Sequence, residues 1–227
     1  MINIFRRTGL ENTLLIAWRN QLPQIRLTLL ASFIVGLGGI VGVYLLSRFT
    51  GVPAAWFTRD AADVTGSSIY IGMLSTIGIM AWAATTAICF GAASLLWHDN
   101  RPSAFFLLIS GLLCLILAFD DAFMFHERVL PGRFHIPEKG IFLGYLLILV
   151  GYGGYFFRRI LKTEYLLLIL ALFFLGLSAM MDQILPFSDL EAFAEDCPKF
   201  LGIVLWLAYF SRTAFVMVKE VFLSPEH

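Results

Sequence analysis

The sequence predicts an all-α fold, a polytopic membrane bundle of about six transmembrane helices preceded by an N-terminal amphipathic interfacial helix. Two observations carry this. Hydrophobic residues make up 59% of the 227, charged residues only 14%, and Phe alone occurs 22 times, a balance far from that of soluble domains. Mostly apolar runs of about 20 residues, the length of one bilayer crossing, recur at roughly 27–47, 69–97, 103–125, 140–157, 164–185 and 199–218. A single transmembrane domain over 1–227 is expected: 1–26 a cytoplasmic or interfacial segment, 27–218 the six-helix bundle, and 219–227 a cytoplasmic tail.

Ahead of the first span, Leu15, Trp18, Leu22 and Ile25 recur at helical spacing opposite Asn12 and Arg19, the pattern of a helix lying on the inner interface. The first span lacks a small-residue cleavage pattern near its end and is expected to act as an uncleaved anchor. Gly38 and Gly42 form a G-x-x-x-G pair there, and Gly140 and Gly144 form another in the fourth span, followed by Gly151, Gly153 and Gly154. Close helix approach is the usual use of such spacing in membranes. Ser75, Thr76, Thr85, Thr86 and Ser94 of the second span are expected to bond their own backbone, a polar pore lining being the alternative. Cys89 and Cys114 lie inside spans and read as small apolar residues, and no intrachain disulfide is expected. The breaks at 48–68, 98–102, 128–139, 158–163 and 186–198 carry polar residues, Gly or Pro.

Charge is distributed unevenly between the two faces. Ten Lys and Arg fall on the side of the N-terminus and six on the other, whereas the 16 acids divide five and 11. The positive-inside rule then places both termini in the cytoplasm. The acidic face points outward.

The acids of that face cluster. Asp120, Asp121, His126 and Glu127 lie in one tract at the end of the third span, Asp182 ends the fifth, and Glu195 and Asp196 precede the sixth. Seven residues complete almost two helical turns, so a continuous helix puts Asp120 and Glu127 on one face, with Asp121 rotated by about 100°. Ionised side chains near hydrocarbon are expensive and mark functional sites. Asp120 and Asp121 also stand at a helix C-terminal half, where the dipole opposes negative charge. Asp182, Glu195 and Asp196 are read either as further ligands or as helix caps and partners of Lys199, Arg128 or Arg133.

Together these seven residues form a candidate metal set, with His126 as a candidate general base. Oxygen-rich ligands favour Ca²⁺, Mg²⁺ or Mn²⁺ over Zn²⁺. No haem, nucleotide or flavin is expected, because Walker, G-x-S-x-G and H-E-x-x-H patterns and paired intramembrane histidines are missing from the sequence. Membrane lipids are the expected surroundings, with a homo-oligomer or a larger membrane complex as partner and no nucleic acid. An alternating-access transporter is disfavoured by the lack of midplane charges and of a broken-helix pair.

The tract Asp120-Asp121-Ala122-Phe123-Met124-Phe125-His126-Glu127, with Glu195-Asp196-Cys197-Pro198-Lys199-Phe200-Leu201-Gly202, resembles motifs of an uncharacterised group of bacterial six-helix membrane proteins. That resemblance implies a bacterial inner membrane and transfers no activity. The membrane hydrolase superfamily that includes alkaline ceramidases uses several His ligands, which this chain lacks. Three functions stand open: cation binding or ion conduction at the outer face, a metal-dependent enzyme acting on a lipid or lipid-linked substrate, and a non-catalytic subunit of a larger membrane complex.

Overall fold

The computed structural model describes residues 26, 27, 30, 33, 34, 36–59, 61–68, 70–184 and 189–222. The expected amphipathic helix around Leu15 and Trp18 lies outside them. All elements among the described residues are helical, and the chain divides into two compact units, Met1–Ile71 and Gly72–His227.

In the first unit the apolar helix α1 (Gly36–Thr50) occupies the C-terminal part of the first expected span. Gly51, at φ +72°, ends it in a left-handed conformation that a side chain would strain. A 3₁₀ turn (Ala54–Phe57) and the short helix α2 (Ala61–Thr65) follow.

The second unit contains α3 (Met73–Leu96), α4 (Arg101–Phe123), a π-helical turn (Phe125–Val129), α5 (Leu130–Phe134), α6 (Glu138–Ile160), α7 (Tyr165–Ile184) and α8 (Asp189–Phe222). Among the described residues, five helices are long and apolar enough to cross a membrane, which fits an integral membrane protein. Local chemistry explains where they begin. Asn100 caps α4 by accepting a hydrogen bond from Ser103 N, and Pro102 stands in the first turn, where its missing N–H goes unused. The short α6–α7 turn is fastened by Thr163, whose hydroxyl bonds Ile160 O at 2.7 Å and meets the Tyr209 hydroxyl at 2.9 Å.

One boundary differs from expectation. The break at 186–198 was to extend to Pro198, yet α8 already runs from Asp189 and carries Pro198 inside it. Proline removes a single backbone hydrogen bond and bends a membrane helix without ending it. The sixth span therefore starts with its acidic residues already on the helix.

α3, α4 and α8 form the packed centre, with Trp82, Leu96, Phe106, Leu107, Trp206, Tyr209 and Phe210 buried among them. α3 approaches α8 closely at Gly78 and α4 at Gly111, and α8 approaches α7 at Gly202. A Cβ at Gly111 would come within 2.6 Å of the Phe90 ring, and one at Gly202 within 2.7 Å of Leu175 and 3.0 Å of the Ala171 carbonyl. The fourth-span glycines do otherwise: among the described residues, nothing lies within 4 Å of a Cβ at Gly144, Gly151, Gly153 or Gly154. Gly151 and Gly154 are exposed, and the face of α6 toward α4 is aromatic instead. Phe106 packs on Tyr152 and Phe156, and Ser110 bonds the Tyr152 hydroxyl at 2.6 Å. The hydroxyls of Thr85, Thr86 and Ser94 turn back on their own helix, to Ala81, Trp82 and Gly91 carbonyls.

Candidate functional site

α4 delivers two adjacent acids to different partners, because neighbouring helical residues diverge by about 100°. Asp120 is 4% exposed. A carboxylate this deep requires hydrogen bonds and a counter-charge, and the chain supplies both by ending α4 abruptly. Met124 takes a left-handed conformation (φ 52°, ψ 45°), and a π-helical turn follows. That reversal brings His126 back over the helix end. Its backbone N–H donates to Asp120 Oδ1 at 3.0 Å and its Nδ1–H to Oδ2 at 2.6 Å.

The continuous helix expected through the tract is thus interrupted, and His126 rather than Glu127 meets Asp120. Glu127 is half exposed, with its Oε1 3.5 Å from His126 Nε2. The His126 ring also packs edgewise on Phe142 of α6, centroids 5.5 Å apart, and the Tyr145 hydroxyl stands close to the Asp120 carboxylate. Burial by itself would lower the imidazole pKa. The hydrogen bond and charge of Asp120, helped by Glu127 and opposed by Lys199, raise it above the ordinary value of 6.5. His126 is therefore held toward the protonated state, with Nε2 directed away from Asp120.

Asp121 turns to the other side. Lys199 Nζ lies 2.9 Å from its Oδ1, and Trp82 Nε1 donates to Oδ2 at 2.9 Å. Trp82 is 2% exposed and meets Trp206 edge to face at 5.7 Å, and Trp206 Nε1 in turn donates to Cys114 Sγ at 3.2 Å. The acid is thereby tied through two buried indoles to the centre of the bundle.

Between α4, α6, α7 and α8 lies a cavity of about 590 Å³. Leu146, Leu149, Leu172 and Leu175 make much of its wall, while Asp120, Asp121, His126, Tyr145, Asp182, Glu195 and Lys199 gather at one end. Asp196 borders a smaller crevice with Asp121 and Lys199. Five of the seven expected site residues thus line one cavity, with Glu127 and Asp196 beside it. Glu195 stands in the electrostatic field of Asp182, Asp196 and Glu127. Among the described residues, however, no three or more His, Cys, Asp or Glu side chains stand close enough together to hold a metal ion.

Three contributors escape the sequence. Lys199 reads as a partner of its own helix's acids, whereas its nearest carboxylate belongs to Asp121 on α4. Trp82 reads as an interfacial or packing aromatic and Tyr145 as an ordinary span residue. Only Lys199 carries a usable signal, a cation at the start of an apolar run.

The fold and site define a helical integral membrane protein with a polar acid–base cluster at one end of an apolar cavity within the bundle. The chain belongs to the family described as Domain of unknown function (DUF8692), which it matches over residues 28–213. No curated protein and no solved structure matches the chain.

Proposed function

We propose that this protein binds a lipid-like, amphiphilic molecule in the 590 Å³ cavity and acts on its polar head through acid–base chemistry at His126. The observation that carries this reading is the juxtaposition of an apolar chamber with an oriented Asp–His pair. Asp120 fixes the imidazole at Nδ1, which leaves Nε2 to give or accept one proton. Lys199 and His126 oppose Asp182 and Glu195 around the same end, a mixed-charge setting suited to a polar head, while the leucine-lined remainder suits an alkyl chain. In orientation we follow the basic asymmetry: termini in the cytoplasm, this site opening outward, in a bacterial inner membrane.

The test is lipid extraction from the purified protein followed by mass spectrometry. Gly176 lines the cavity, and among the described residues nothing lies within 4 Å of its Cβ position, so Gly176→Phe fills the chamber without a backbone clash. It should lose a lipid class that wild type retains. His126→Gln should keep binding and enrich the unprocessed form of that class. Identical lipid profiles in wild type and Gly176→Phe would sink the reading.

Cation binding is a second reading, favoured by the field that Asp182, Asp196 and Glu127 exert on Glu195, although among the described residues no ligand set is close enough to hold an ion in this arrangement. Like charges at low dielectric coexist more easily around a divalent ion such as Ca²⁺, Mg²⁺ or Mn²⁺. A melting temperature that rises with one of these ions, and ceases to do so in Glu195→Gln, would favour this second reading.

A further inference from the structure

At the other end of the second unit, remote from Asp120, lies a larger cavity of about 910 Å³. Its walls come from the start of α4, the end of α6, the α6–α7 turn and the last turns of α8. Four basic residues line it, Arg158, Arg159, Lys162 and Arg212, against the acids Glu164 and Glu220. Arg212 and Glu164 form a two-pronged ion pair and cancel each other. The remaining balance is positive and concentrated at Arg158, Arg159 and Lys162.

Two features show more than a scatter of surface cations. Arg159 is partly buried and oriented, with Nη1 donating to the buried Ser103 Oγ at 2.7 Å. That contact engages one of the five guanidinium donors. The first turn of α4 adds the positive end of its dipole. Phe105, Phe156, Val216 and Met217 give the same cavity an apolar side.

We propose that this cavity binds an anionic phosphate ester, with Arg158, Arg159 and Lys162 as its cationic contacts. Guanidinium groups match phosphate oxygens in geometry, and basic pockets between membrane helices receive anionic head groups. A phospholipid head group and a soluble phosphate ester share this chemistry.

The experiment uses full-length protein in nanodiscs of zwitterionic phosphatidylcholine, with phosphatidylglycerol titrated in, and separately with inorganic phosphate against chloride at equal ionic strength. Arg158 and Lys162 are exposed, so Arg158→Gln and Lys162→Gln should fold normally. Lys219, an exposed cation outside the cavity lining, supplies the control Lys219→Gln. Phosphatidylglycerol should raise the wild-type melting temperature, and each cavity variant should weaken the apparent affinity about fivefold. Lys219→Gln should leave it unchanged. A phosphate response that fails in the same two variants identifies a soluble ester as the source, and a response to phosphatidylglycerol alone identifies the lipid. The proposal is overturned if wild type responds to neither, or if Lys219→Gln loses as much as Lys162→Gln.

Discussion

The two ends of the Gly72–His227 unit handle charge in opposite ways. At the Asp120 end, the two acids of α4 are nearly enclosed, and each has acquired a specific partner: His126 for Asp120, Lys199 and Trp82 for Asp121. At the Arg159 end, one ion pair is closed on itself, and several cations stand open beside a cavity. The difference teaches that burial, rather than the number of charges, decides which pairings are structural. A half-exposed arginine can stay solvated, whereas an enclosed carboxylate cannot.

The sharpest way to break this comparison is to remove one cation from each end. Lys199→Met leaves Asp121 enclosed with only the indole donor, and should lower stability by about 2–4 kcal/mol in detergent melts. Lys162→Met should stay within about 0.5 kcal/mol of wild type. Equal effects at the two ends would contradict the distinction. In a double variant that also replaces Asp121 with Asn, much of the Lys199→Met loss should return, because no uncompensated charge is then left behind.

Packing around the ends should respond in the same uneven manner. Gly202→Ala pushes a Cβ against Leu175 and the Ala171 carbonyl, and should cost about 1–3 kcal/mol. Among the described residues Gly151→Ala meets nothing within 4 Å, and it should be neutral or stabilising by up to about 1 kcal/mol. Urea or thermal unfolding of the two variants side by side reads the contrast.

The pH response should separate the ends further. Because His126 is raised above 6.5, its pairing contributes fully below that ordinary value and fades as pH climbs through the folded value. Wild-type melting temperature should therefore fall across that upper window, and Asp120→Asn should flatten the slope. An unchanged slope in Asp120→Asn would show that another group titrates there.

The smallest effect concerns the backbone that makes the Asp120–His126 contact. Met124 holds a left-handed conformation that disfavours any side chain. Met124→Gly should gain up to about 1 kcal/mol while keeping lipid retention intact. A loss of stability instead would mean that the Met124 side chain, and not only its backbone angle, supports the turn.

The amino-acid sequence by itself determined the all-α membrane class, the approximate place of the five long helices and the gathering of acids toward one end. These rest on composition and on run length, which are properties of neighbouring residues. Only the tertiary structure decided that Met124 would interrupt the acidic tract, that α8 would continue through Pro198, and that Asp121 would take Lys199 and Trp82 from two other helices. Among the described residues it also put the close glycine contacts at Gly78, Gly111 and Gly202 rather than at the Gly38–Gly42 and Gly140–Gly144 pairs. The physical reason is the same in each case: a helix's periodicity fixes which residues share a face, whereas the partner of that face depends on the register between segments far apart in the chain.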